Sequence, residues 1–109
     1  MKEIDSRQGR FGEIRIMERR RDSARLYCVG DGVQTMSTPD GTSLFGYVHA
    51  IKLLIGEAST VLMLGGGGGS LATMLARRGV DVTVVDIDPA AEELARRYFG
   101  LDHRVRWIT

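Results

Sequence analysis

Five consecutive glycines, Gly65, Gly66, Gly67, Gly68 and Gly69, follow the apolar run Val61-Leu62-Met63-Leu64 and precede Ser70 and Leu71, and Asp86 stands 21 residues after Gly65. These residue types at this spacing can hold a nucleoside. Main-chain N–H groups at a helix start lack partners inside the helix and carry partial positive charge. Glycine lets the chain turn tightly there and lets a ligand approach with no Cβ in between. A carboxylate ending the next strand can accept from both ribose hydroxyls, and an ionised acceptor bonds more strongly than a neutral one. The same negative charge argues against NADP, whose 2′-phosphate it repels. Gly65, Gly67 and Gly69 make a G-x-G-x-G pattern. The stricter G-x-G-x-x-G/A dinucleotide pattern fails, because it meets Ser70 when counted from Gly65 and Leu71 when counted from Gly66. The bland alternative is a plain strand-to-helix turn in which Asp88 caps the helix and Asp86 is uninvolved.

The elements that must position these residues are legible. From residue 60 the chain alternates strand and helix. Residues 61–64 suit a short strand buried on both faces. A helix starts near Ser70 and stops at Gly79. The β-branched residues 82–85 make a second strand. Asp88 is a good N-cap and Pro89 fits a first helical turn, so a second helix runs to Phe99 and ends at Gly100. Residues 105–108 start a third strand. Upstream, Ile14 and Ile16 alternate with Glu13, Arg15 and Met17 in a half-buried strand. Residues 26–29 form another, Gly30-Asp31-Gly32 a turn, and residues 33–36 a third short strand. Leu44, Tyr47, Val48, Ile51, Leu54 and Ile55 recur at helical spacing, with Thr42 or Ser43 as cap and Gly56 as stop.

The expected architecture is therefore α/β. A small N-terminal antiparallel β-region (residues 1–40) precedes the first βαβαβ half of a methyltransferase-like Rossmann fold (residues 41–109), a partial nucleoside-binding domain. Three parallel strands with two crossover helices leave such a sheet incomplete, which suggests a fragment, a truncated gene or a chain completed by association. A homo-oligomer is expected, because open sheet edges invite pairing.

Composition removes several classes. With 15 basic and 14 acidic residues in 109, and a net charge of +1, there is no basic excess to suggest nucleic acid. The run Arg19-Arg20-Arg21, flanked by Glu18 and Asp22, reads as a solvated hairpin tip. Cys28 is alone, so no internal disulfide forms, and it reads as a small core residue rather than a reactive thiol. No membrane span is expected and the N-terminus lacks an apolar leader segment, so a cytoplasmic location is expected. His49 reads as structural and His103 as a turn residue. No metal-ligand spacing is present, so no metal is expected. Trp107 reads as core rather than as a stacking platform.

The stretch from Val61 to Gly69, then Val84-Val85-Asp86-Ile87-Asp88-Pro89 and Ala95-Arg96-Arg97-Tyr98-Phe99, resembles the spermidine synthase family of polyamine aminopropyltransferases. Phe11-Gly12-Glu13-Ile14-Arg15-Ile16 and Asp31-Gly32-Val33-Gln34 resemble that family's N-terminal β-hairpin region. The resemblance implies transfer of an aminopropyl group from decarboxylated S-adenosylmethionine to a diamine, leaving methylthioadenosine. It implies Gly65, Gly66, Gly67, Gly69, Asp86 and Ile87 as nucleoside-binding residues. Asp86 stands where the family has a ribose-binding Glu. Gln34 resembles the family's DGxxQ glutamine, one residue closer to its Asp-Gly pair.

The amine side departs from the family. Gly12 replaces its glutamine before the first hairpin strand, and Gly68 replaces the glycine-loop Asp that faces the diamine. His49 in Tyr47-Val48-His49 is offset by one position, about 100° around a helix. The family's catalytic Asp follows the third strand, beyond Thr109, so no catalytic residue is assigned. The reading is a divergent synthase-like transferase domain that binds decarboxylated S-adenosylmethionine or methylthioadenosine, with a polyamine as a further partner, and is inactive as this chain. One alternative is a methyltransferase-like protein using S-adenosylmethionine itself. The other is a non-catalytic remnant or association module.

Overall fold

The computed structural model describes all 109 residues. Its first half is a four-stranded antiparallel sheet in the order β1-β2-β3-β4, formed by Lys2–Gly9, Gly12–Glu18, Arg25–Val29 and Gly32–Ser37. Ile14 and Ile16 of β2 are fully buried, while Glu13 and Arg15 between them are exposed. The tip between β2 and β3 is polar, and Arg19 pairs with Asp22 at 2.7 Å. β1 is an addition to the two or three strands expected. Its sequence, Lys-Glu-Ile-Asp-Ser-Arg-Gln-Gly, lacks apolar alternation. Main-chain pairing with β2 holds it, with a register shift between Glu3 and Asp5. Side chains then tie it to the last helix: Tyr98 donates to Asp5 at 2.7 Å, and Arg7 pairs with Glu93 at 2.6 Å.

The second half is a three-stranded parallel sheet in the order β5-β6-β7, formed by Thr60–Leu64, Asp81–Val85 and Arg106–Ile108. Helices α2 (Ser70–Arg77) and α3 (Ala91–Tyr98) are the crossovers, and α1 (Gly46–Ile55) precedes β5. α1 begins later than expected, with Phe45 at its cap position. The Ser43 hydroxyl accepts from the Phe45 amide, and Ser43 bridges to Ser37, so the expected cap residues belong to the preceding turn. α1 also buries less than its spacing suggests. Val48 is buried, but Leu53 and Leu54 face solvent.

Two apolar cores result. One lies between the parallel sheet and its crossover helices, built on Leu75, Val82, Val84, Ala95, Leu101 and Val105. The other joins Ile14, Ile16 and Tyr27 of the first sheet to Leu94 and Phe99. α3 therefore supplies both, through Ala95 on one side and Leu94 on the other. Fully burying a Leu or Phe contributes about 1.5–3 kcal/mol, so residues 1–40 are fastened to the Rossmann half through shared packing.

Only one face of the parallel sheet is covered. Val61, Met63 and Trp107 pack against the first core, whereas Leu62, Leu64 and Ile108 are 63%, 81% and 55% exposed. The double-sided burial expected for residues 61–64 is not observed, because both crossover helices lie on the same side. No helix is long and apolar enough to cross a membrane.

Candidate functional site

A cleft of about 740 Å³ opens at the C-terminal ends of β5 and β6. This is where open α/β sheets place ligands. Gly65, Gly66, Gly67, Asp86, Ile87 and Gln34 all line it, so six of the seven expected site residues converge. Gly69 does not line it. Gly69 lies at the start of α2 against Leu101, where a Cβ would come within 2.7 Å of Leu101 Cδ1.

Geometry demands glycine in the loop for two kinds of reason, seen at Gly65 and Gly66. Gly65 has φ of +85°, a left-handed conformation that costs other residues about 1–2 kcal/mol. Gly66 lies directly on Trp107, since a Cβ there would stand 2.4 Å from Trp107 Cη2 and 2.8 Å from Val84 Cγ1. Trp107 is the floor of the loop, in agreement with its reading as a packing residue.

The loop's amides are less open than the motif suggests. Gly65 donates to the Val85 carbonyl at 2.7 Å, and Gly69 to the Gly66 carbonyl at 2.8 Å. Gly66 donates to Asp86 Oδ2 and Gly68 to Thr35 Oγ1, both at 2.9 Å. Gly67 alone among the five has no intramolecular partner for its N–H and faces the cleft.

Asp86 faces the loop rather than the interior. Its Oδ2 takes the Gly66 amide, and its Oδ1 takes the Asp88 amide at 2.9 Å. A carboxylate has about four acceptor positions, so each oxygen keeps one free. Asp88 is buried and committed, accepting from Arg10 N at 3.1 Å and Ala90 N at 3.0 Å. Asp88 is not the N-cap expected of it: Ala90 holds the cap position of α3 with no side-chain cap bond, and the Asp88 carboxylate instead accepts from the Ala90 amide in the turn before the helix.

Sequence reasoning missed Thr35, whose buried hydroxyl ties the first sheet to the glycine loop across 33 positions. It also missed the aromatic wall of Phe11, Tyr27, Phe45 and Tyr47. The spacing of Tyr47, Val48 and Ile51 contained part of that signal, read there as a packed helix face. Burial and the nearby charges of Asp88 and Asp86 hold the Tyr27 phenol well above its ordinary range, so it stays a neutral donor. Burial pushes the Cys28 thiol up, which keeps it protonated and unreactive. His49 Nε2 donates to the Ser43 carbonyl at 2.7 Å, a structural bond. His103 is exposed beside Asp102. No group of three His, Cys, Asp or Glu side chains is arranged to share a metal ion.

No protein-family model matches the chain, and no curated protein matches it. Among solved structures, the fold is similar to that of a probable spermidine synthase from Corynebacterium glutamicum ATCC 13032, with a TM-score of 0.78 and 19% identity. The match covers 96% of this chain and 44% of that one, so the chain spans less than half the length of this neighbour. The class defined by the fold is a Rossmann-like α/β domain with an N-terminal antiparallel sheet. More particularly, it is a spermidine synthase-like fold.

Proposed function

We propose that the chain is a cytoplasmic, spermidine synthase-like transferase segment that binds an S-adenosylmethionine-type nucleoside, decarboxylated S-adenosylmethionine or methylthioadenosine, without a metal. The observation that carries this is the Asp86–Gly66 contact at 2.9 Å. It sets a carboxylate with free acceptor positions beside the one uncommitted loop amide, Gly67, at the carboxyl end of parallel strands. The ribose hydroxyls bond to Asp86, and the sulfur-bearing arm lies over Gly65–Gly67. Gln34 and Ile87 flank the nucleoside. Positioning is the chain's contribution, and it has no turnover alone. Calorimetry with methylthioadenosine tests binding, and an aminopropyl-transfer assay with putrescine tests inactivity. Absence of binding would refute the first claim, and measurable transfer would refute the second.

The scarcity of uncommitted carboxylates in the cleft favours a second reading, a methyltransferase-like use of S-adenosylmethionine itself. Tighter binding of the carboxylate-bearing donor than of its decarboxylated form supports it. The exposed row Leu62, Leu64 and Ile108 favours association with a second copy of the chain. Light scattering that shows mass rising with concentration supports this, and a strictly monomeric mass counts against it.

A further inference from the structure

We propose that Tyr27 is a ligand contact of this cleft, its hydroxyl donating a hydrogen bond to a ribose hydroxyl that itself donates to Asp86. This rests on the nucleoside reading above and adds a specificity-determining residue from the N-terminal sheet.

Tyr27 sits in the middle of β3, opposite Ile16 of β2 and Thr35 of β4. Residues directly opposite one another in antiparallel strands share a face of the sheet. Thr35 uses that face to hold the glycine loop, its hydroxyl accepting from the Gly68 amide at 2.9 Å. Tyr27 lines the cleft on the same face, together with Asp86 and Asp88. It shares a core with Ile14, Ile16, Leu94 and Phe99, and its ring centroid lies 5.9 Å from that of Phe99. Packing therefore fixes the hydroxyl in place before any ligand arrives, which lowers the cost of binding.

The ring is buried, but its hydroxyl is not spent. Tyr27 is 3% exposed, lines the cleft and makes no hydrogen bond within the chain. The only polar side-chain atom both sealed from solvent and unpartnered is Trp107 Nε1, so the Tyr27 hydroxyl opens to the cleft. A buried tyrosine ordinarily finds a partner for its O–H. Burial and the charges of Asp88 and Asp86 keep this phenol protonated, so it acts as a donor. An anionic acceptor here would meet two carboxylates and be repelled. A hydroxyl fits, because it can accept from Tyr27 and donate to a carboxylate at once. Asp88 has main-chain amides on both oxygens, from Arg10 and Ala90. Asp86 takes one amide on each oxygen and keeps a further position on each. A ribose hydroxyl between Tyr27 and Asp86 is thus gripped from both sheets.

The test is calorimetry on the full chain and its Tyr27→Phe variant with 5′-methylthioadenosine and its 2′-deoxy and 3′-deoxy forms. The variant is expected to bind methylthioadenosine about 2- to 12-fold more weakly, the worth of one neutral hydrogen bond. At least one deoxy form, lacking the hydroxyl that Tyr27 contacts, should bind both proteins equally. If all three compounds weaken by the same factor, or none weakens, this inference falls while the nucleoside reading stands. If methylthioadenosine fails to bind the wild-type chain, the nucleoside reading falls and takes the inference with it. Without ligand, the urea midpoint of Tyr27→Phe should match or exceed that of the wild type, since no partner within the chain is lost. A lower midpoint, or a variant that does not fold, would mark the hydroxyl as structural and overturn the proposal.

Discussion

The Asp86 carboxylate accepts the Gly66 amide proton at 2.9 Å, so the acid ending β6 and the loop after β5 form one unit. Asp86 holds the loop in shape with one acceptor position of Oδ2 and leaves another without an intramolecular partner. The geometry gives Asp86 a part in shaping the loop.

Gly66→Ala is expected to lift the loop from its floor, because the new methyl would meet Trp107 and Val84. Overpacking of this kind costs about 1–3 kcal/mol. Trp107 is the only tryptophan, so its emission reports the displacement during urea unfolding. Nucleoside binding should be lost as well.

Thr35→Val keeps shape but leaves the buried Gly68 amide without its acceptor. An unsatisfied buried donor costs about 1–3 kcal/mol. Urea unfolding should show that loss, and amide exchange at Gly68 should accelerate more than at Val84.

What was legible followed from local pattern. The glycine run between an apolar strand and a helix, and the acid closing the β-branched residues 82–85, were readable because each signal lies within one element. β1 was not readable, since Lys2, Glu3, Asp5 and Arg7 give no periodic apolar face and the strand is held by distant partners, Tyr98 and Glu93. Thr42 and Ser43 resemble helix caps locally, but tertiary pairing with Ser37 and Thr38 takes them into a turn. Nor could a motif reveal that four of five loop amides are already bonded, because three of those bonds go outside the loop, to Val85, Asp86 and Thr35.

Stability should fall as pH drops below the ordinary carboxylate range. The Tyr98 hydroxyl holds Asp5 low, the Arg7 guanidinium holds Glu93 low, and Arg104 holds Asp102 low. Asp22 is pushed down to about 2, chiefly by its hydrogen bond from Arg19. Each of these acids is more acidic folded than unfolded. Its stabilising contribution is therefore complete above about pH 4, the unfolded value, and is lost as pH falls through the folded value. Urea midpoints should be level between about pH 5 and 7 and decline below about 4. Tyr98→Phe should make that decline shallower by freeing Asp5.

Asp86→Asn, measured by calorimetry with 5′-methylthioadenosine and its 2′,3′-dideoxy analogue, tests the central claim most directly. Hydrogen bonds to a charged acceptor contribute about 1.5–3 kcal/mol, which is about a 10- to 100-fold change in affinity. The wild-type chain should therefore prefer the ribose-bearing compound by that factor, and the variant should lose most of the preference while binding the dideoxy compound about as well as before. Equal affinity of the wild-type chain for the two compounds, or a preference that survives in the variant, would contradict ribose recognition by Asp86.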